Sequence, residues 1–338
     1  MRKINKITAN LLRKSEKAKP KKIEEHREEV LARGRKFKYP IQYSKHRLVI
    51  NTIIIGVFVA TALIVGGAMA LYKFNSTSDL IYRITKVVPV PVAEIEGRSV
   101  RYSDYLLVYR SSIAPIEQQT NKIDEKKDIE AMRKHYKKTA LAQAIEFTYA
   151  LKRGEELGVK VTHKMVDDAI DKQRAAGGVK QSKASFQKIL KDNFGISEKE
   201  YRRMVYLSLV RKEVSVREDK EAARLIGQVE KEVKASEGDF KAVAEKMGKN
   251  VLYFVTDGKV NQMNIDGGRS DAARELEKGK VSKSFVSANG DSYFVVKLLD
   301  KNQTEVSYES LQVMIARFDK KIQKLKKNGA VKEFIRQE

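Results

Sequence analysis

The chain contains no cysteine. Disulfides and thiol nucleophiles are therefore excluded. Histidine is nearly as scarce: His26, His46, His135 and His163 are all there are, and none follows residue 163. No Ser/His/Asp arrangement can be built from so few imidazoles. Asp167 lies four residues after His163, but two ligands without a third make no metal site. His135, among Lys134, Lys137 and Lys138, reads as part of a solvated face. Asp266-Gly267-Gly268 reads as a loop, because no strand and lysine frame it as a phosphate cradle. No metal and no cofactor is expected. The net charge of +24 could attract nucleic acid, yet no nucleic-acid motif accompanies it, so no such partner is expected.

What the sequence does have is charge and one long apolar run. Residues 48–72 carry no charged side chain. At a rise of about 1.5 Å per residue they reach roughly 37 Å, enough to cross a hydrocarbon core of about 30 Å. The first 47 residues hold 16 Lys or Arg against 5 Glu, which predicts a cytoplasmic tail over 1–47 and an extracytoplasmic body beyond the run. A signal peptide cleaved after Ala68-Met69-Ala70 is the rival reading. The run exceeds the usual length of about 7–15 residues for such a peptide, so an uncleaved single-pass anchor in the cell membrane is favoured. Gly56, Ala60, Ala62, Gly66 and Ala70 contain small-xxx-small spacings that would let two copies pair as a homodimer. Small residues facing lipid are the commoner reason for such spacings.

The tail has a basic stretch over 17–22, then a short polar helix over 23–33, with Gly34 as its stop. Arg33, Arg35, Lys36 and Lys38 form a basic cluster that would gain about 1 kcal/mol per charge from anionic lipid headgroups. Setting topology alone would also explain these charges. The chain's 68 basic and 44 acidic side chains leave 52 against 39 once the tail is removed, so the body is basic in its own right. A basic exterior attracts acidic polymers and acidic polypeptide segments.

After the run, residues 73–87 read as a linker. Val92-Ala93-Glu94-Ile95 turning at Glu96-Gly97 into Arg98-Ser99-Val100 predicts a hairpin, and Ser103 a helix start. Residues 126–157 predict one long helix whose apolar face includes Tyr136, Leu141, Ile145 and Tyr149. Thr162 opens the next helix, interrupted at Gly177-Gly178. A shorter helix ends near Gly195, and Ser197 with Glu200 forms a capping box for another. From about Arg217 the pattern becomes mixed. Helices are predicted over 222–233, 240–247 and 270–276, strands over 251–255 and 293–299, and a turn at Asn289-Gly290. A last helix is predicted over 313–326, basic on its outer side. The fold class is mainly α with one α+β module.

These segments resemble a known family. Val92-Ala93-Glu94-Ile95-Glu96-Gly97-Arg98-Ser99-Val100 before a helix is similar to the opening "V-A-x-V-N-G-x-x-I-T" of the SurA/PrsA-type chaperone domain. Glu155 to Thr162 resembles that domain's "A-x-x-L-G-I-x-V-S" junction, and Phe186 to Tyr201, with Phe194-Gly195-Ile196-Ser197-Glu198 after a short helix, its "F-x-x-x-L-x-x-x-G-I-S-E" element. The following region resembles a parvulin-type prolyl isomerase. Gly238-Asp239-Phe240 is similar to "G-x-D-F", Leu276 to Ser282 to "L-K-P-G-E-I-S", and Tyr293 to Leu298 to "Y-H-I-I-K-L". The domain order implied is a linker over 73–87, a SurA N-terminal-like helical domain over 88–216, a parvulin-like module over 217–302, and a C-terminal helix within 303–338 that packs back on the helical domain.

The resemblance implies a membrane-anchored chaperone or foldase that binds unfolded exported polypeptides. It also implies a pair of core histidines in an active parvulin, one in a first "H-I-L" strand and one in the final strand. Here Phe294 stands in the final strand, and the first strand is absent ahead of residue 217. The module is thus expected to be degenerate, with Tyr253, Phe254, Phe285 and Phe294 as its pocket remnant and no catalytic residue. Tyr105, Tyr109, Tyr136, Phe147 and Tyr149 are the candidates for a client-binding cradle, unless they are core. An active prolyl isomerase and a non-catalytic cell-envelope assembly protein are the alternatives.

Overall fold

The structure, a computed structural model, describes residues 23–31, 33–34, 40–120, 126–175, 180–261, 264 and 266–335. Expectations for residues 17–22, for Arg35, Lys36 and Lys38, and for Gly177-Gly178 lie outside the described residues. The chain divides into two compact units, Met1–Met69 and Ala70–Glu338.

In the first unit, residues 23–31 and 33–34 are helical, Gly34 included. Helix α1 follows over Pro40–Ala68. Its apolar side chains, among them Ile54, Phe58 and Leu63, are exposed. The hydroxyls of Thr52 and Thr61 donate to the carbonyls of Leu48 and Val57, so these polar groups are satisfied within the helix. Helix Arg47–Lys73 is long and apolar enough to cross a membrane. So much exposed aliphatic surface is unfavourable in water and suited to lipid.

A π-helical turn, Met69–Lys73, spans the boundary between the units. Residues expected as a plain linker instead carry helix α2, Asp79–Val87, capped by Ser78. The predicted hairpin is present as β1, Pro91–Ile95, and β2, Arg98–Arg101. Its turn residues Glu96 and Gly97 both have positive φ, 45° and 78°, which suits a tight hairpin turn. Helix α3, Tyr102–Thr120, starts directly after β2, so Ser103 lies inside its first turn and does not cap it. Helices α4, Lys126–Glu156, α5, His163–Ala175, α6, Lys183–Phe194, and α7, Glu198–Glu218, complete the helical body. The capping box of Ser197 and Glu200 is formed. The apolar stripe of α4 is buried between α3 and α7.

The remainder is α+β. Helices α8, Lys220–Ala235, and α9, Phe240–Met247, precede strands β3, Leu252–Val255, and β4, Val260–Asn261. Then come α10, Arg269–Arg274, β5, Phe285–Val286, and β6, Ser292–Lys301. Next is a ten-residue strand that the sequence reading missed, β7, Glu305–Met314. Helix α11, Arg317–Lys327, and strand β8, Val331–Glu333, end the chain. The sheet order is β3-β7-β6-β5, antiparallel throughout, with β4 also on β7. Helices α8 and α9 cover one face through Ile226, Val229, Phe240 and Val243 against Val295, Leu311 and Val313. Helix α10 covers part of the other through Ala273 against Val296, Leu298 and Tyr308.

The expectation of one C-terminal helix over 303–338 is thus corrected. The segment splits between the two halves of the unit. Strand β7 builds the α+β sheet, while Phe318 and Ile322 of α11 enter the helical core and β8 pairs with β1. The alternation of β7 changes phase at Ser310-Leu311: Val306 and Tyr308 pack on one face of the sheet and Leu311 and Val313 on the other, so its apolar residues share no single stripe.

Polar ties fix the two halves. Asp219 caps α8 through Ala222 N–H at 3.1 Å and also accepts from Ala316 and Arg317 N–H, both at 3.0 Å, at the start of α11. Arg211 donates to Glu146 at 3.2 Å, to the Asn289 carbonyl at 3.0 Å and to Asp319 at 2.9 Å. Gly290, at φ 74°, sits so close to α7 that a Cβ would meet the Lys212 backbone at 2.8 Å.

Candidate polypeptide-binding site

The nominated cradle aromatics are mostly core. Tyr105, Tyr109, Phe147 and Tyr149 are buried, and Tyr136 is half-buried. Tyr105 packs edge-on to Tyr102, with centroids 5.4 Å apart, and donates to Asn75 Oδ1 at 3.1 Å. Burial raises its phenol pKa far above the usual value. Tyr149 packs on Phe318, 5.5 Å between centroids, and its pKa is pushed up to about 12, chiefly by burial and next by Glu218. The helical spacing that singled these residues out is the spacing of a buried stripe, and α3, α7 and α11 occupy the place a client would take. Tyr109 lines a cleft of about 520 Å³ together with Arg110, Arg133 and Lys137.

The remnant pocket is partly assembled. The alternation of β3 puts Tyr253 with the core under α8 and α9, and Phe254 on the opposite face. Phe285 and Phe294 meet there at 5.9 Å. The slot is occupied. The Arg269 guanidinium lies 5.5 Å from the Phe254 centroid and 4.9 Å from that of Phe294, a double cation–π contact. Arg269 Nε also donates to the Asp266 carbonyl at 2.9 Å. The Asp266 carboxylate accepts from Tyr308 at 2.6 Å and from Gly268 and Ser270 N–H. Burial, then the hydrogen bond to Asp266, push the Tyr308 pKa up to about 12. Gly267, at φ 78°, is pressed onto Phe294, 3.0 Å from where its Cβ would be. Gln312 stands directly across from Phe294 in the ladder and donates to Ser292 Oγ at 2.7 Å. The buried Ser310 hydroxyl has no hydrogen-bond partner among the described residues. No imidazole or thiol reaches this face.

Two open surfaces adjoin it. Strand β3 is an edge strand, and Leu252, Phe254 and Val255 stay exposed there, as does Met314 at the end of β7. Beyond Met314 lies a cleft of about 650 Å³ between α8 and α11. Its floor is Ala222, Leu225 and Val313, and its rim carries Lys249, Arg317, Lys320 and Lys324. Two carboxylates line it: Asp219, taken up by the backbone N–H groups it caps, and Glu221, paired with Arg224. Sequence reasoning missed this cleft because its walls lie about a hundred residues apart; the basic outer side of the last helix was the only signal. Among the described residues no group of three or more His, Cys, Asp or Glu is placed to hold a metal. Asp167, paired in sequence with His163, instead meets Arg202 at 2.6 Å.

Comparison with known proteins adds one positive finding. A family model described as the SurA-like N-terminal domain matches residues 42–215, just over half of the chain. The match opens within α1 and closes in α7. No curated protein matches the sequence.

Proposed function

The chain belongs to the SurA-like N-terminal domain family, and from that premise we propose that it is a membrane-anchored chaperone that holds unfolded exported polypeptides without isomerising them. Helix α1 is the anchor, the basic tail is cytoplasmic and the second unit is extracytoplasmic. The helical domain over 88–216 is the scaffold. The module over 217–302, completed by β7, presents the client surface.

One observation supports this above the others. Leu252, Phe254, Val255 and Met314 stay exposed at an open sheet edge beside a cleft with a cationic rim. An extended client would place its backbone on the edge, its apolar side chains on these residues and its acidic ones along the rim. Such contacts are weak and indifferent to sequence, as holding requires.

The module reads as a parvulin relative that has lost its chemistry. Gln312-Val313-Met314 on β7 neighbours Phe294, so the "H-I-L" strand thought absent has a counterpart after the module, with Gln312 and Phe294 where imidazoles are implied. Arg269 fills the slot between them and Phe254. Prolyl isomerisation needs a pocket that binds a twisted amide better than a planar one, and a filled slot offers none.

The test uses the full chain in lipid nanodiscs. It should suppress aggregation of an unfolded model protein, and Leu252→Asp with Phe254→Asp should remove most of that effect. A protease-coupled proline peptide should isomerise at its uncatalysed rate. Acceleration of that rate would establish the isomerase reading instead, and loss of both activities would leave an envelope assembly role.

A further inference from the structure

Helix α2 is packed on one face and open on the other. Tyr82 and Thr85 turn inward and are buried. Tyr82 donates to Glu200 at 2.7 Å, and the Arg110 guanidinium stacks 4.7 Å above its ring. The opposite face carries Leu80, Ile84 and Val87, at helical spacing, exposed by 67%, 45% and 83%. Val88 and, upstream, Phe74 continue the exposed apolar surface. Nothing in the second unit covers this stripe among the described residues.

The chain itself says what can cover it. The last residues of the apolar span, Ala70 to Lys73, belong to the same compact unit as α2. They are not a free tether. Leu71 is buried, and its carbonyl accepts from Tyr102 at 3.1 Å. Asn75 is buried too, held by Tyr105 at 3.1 Å and, through its carbonyl, by Lys137 at 3.1 Å. Residues 70–75 are thus packed into the second unit, and α2 begins six residues past Lys73. Six residues, even fully extended, reach about 21 Å, so a membrane that holds the span lies within reach of the stripe. Lys73 and the exposed Arg83, which also pairs with Asp79, put positive charge suited to phosphate headgroups beside the aliphatic residues; Lys86 is held inward by Glu200.

We propose that α2 lies on the bilayer surface where the span emerges, with Leu80, Ile84 and Val87 sunk among the lipids, so that the body is seated on the membrane and does not swing from it. This rests on the anchor reading of α1. An aliphatic stripe in the interface with basic flanks is the pattern of a surface-lying helix, here with its second face bolted to a folded domain.

The absence of cysteine makes the test direct. Leu80→Cys, Ile84→Cys and Val87→Cys, each labelled with a polarity-sensitive fluorophore, would be prepared in the full chain. They would be reconstituted in vesicles of zwitterionic and anionic phospholipid bearing an acyl-chain quencher. Val57→Cys reports on the span and Glu221→Cys on an exposed site of the module. The expected result is strong quenching at 80, 84, 87 and 57 and little at 221. Quenching at 57 without quenching at 80, 84 and 87 overturns the proposal while leaving the anchor intact. No quenching at 57 removes the anchor, and the proposal with it. A blue shift at 80, 84 and 87 that is not quenched and vanishes when the protein is diluted in lipid would assign the stripe to a second copy instead.

Discussion

Glu200 shows how a residue legible in the sequence acquires a role that is not. The capping box with Ser197 follows from two residues three apart. The same carboxylate also accepts from Tyr82 at 2.7 Å and Lys86 at 2.9 Å, more than a hundred residues away. Burial alone pushes its pKa up. Hydrogen bonds from the Ser197 backbone, Tyr82, Lys86 and the Ser197 hydroxyl together outweigh this and hold it down to about 2. A carboxyl below its usual 4.5 stabilises the fold fully above that value and loses the contribution as pH falls toward 2. Urea midpoints measured at about pH 6 and about pH 3 should therefore drop further for the native chain than for Glu200→Gln. Equal drops would show that the carboxylate is not coupled to folding. The cradle aromatics mark the opposite limit. Their spacing revealed a face, but whether a face is core or groove depends on what packs against it.

At the scale of elements, helices announced themselves where one face met a core and the other met water. Helix α9 was read at its observed bounds for that reason, with Asp239 as the cap that the sequence places before Phe240. Strand β7 did not, because its alternation shifts phase at Ser310-Leu311 and divides its apolar residues between the two faces of the sheet. Its strand character makes a periodic prediction. Leu311→Ala, beneath α8 and α9, should cost about 2–5 kcal/mol in chemical unfolding. Gln312→Ala on the other face should cost less than about 1.5 kcal/mol. Similar costs at both positions would contradict the ladder register. Helix α2 was missed because it is only nine residues long, too short a window for its aliphatic row to separate from the surrounding polar segment.

For the whole molecule, charge and connectivity matter more than any single contact. The cationic rim of the 650 Å³ cleft should steer acidic unfolded chains toward the apolar edge. Raising salt from about 0.05 M to about 0.5 M shortens the screening length from roughly 14 Å to roughly 4 Å, and the association rate of an acidic unfolded polypeptide should fall about tenfold. A neutral one should change little, and equal salt dependence for both would remove the rim from the mechanism. By itself the sequence determined much that depends on local periodicity and composition: the apolar span, the order of the helices after α2, the hairpin at Glu96-Gly97, and the lack of an imidazole after residue 163. The tertiary structure alone decided which apolar faces are shared and which are left open. It brought β7 beside β6, seated Arg269 between Phe254 and Phe294, set α11 across the helical core, and turned one side of α2 outward. Those outcomes depend on contacts between residues far apart in the chain, and pairings at that distance leave no mark on local sequence pattern.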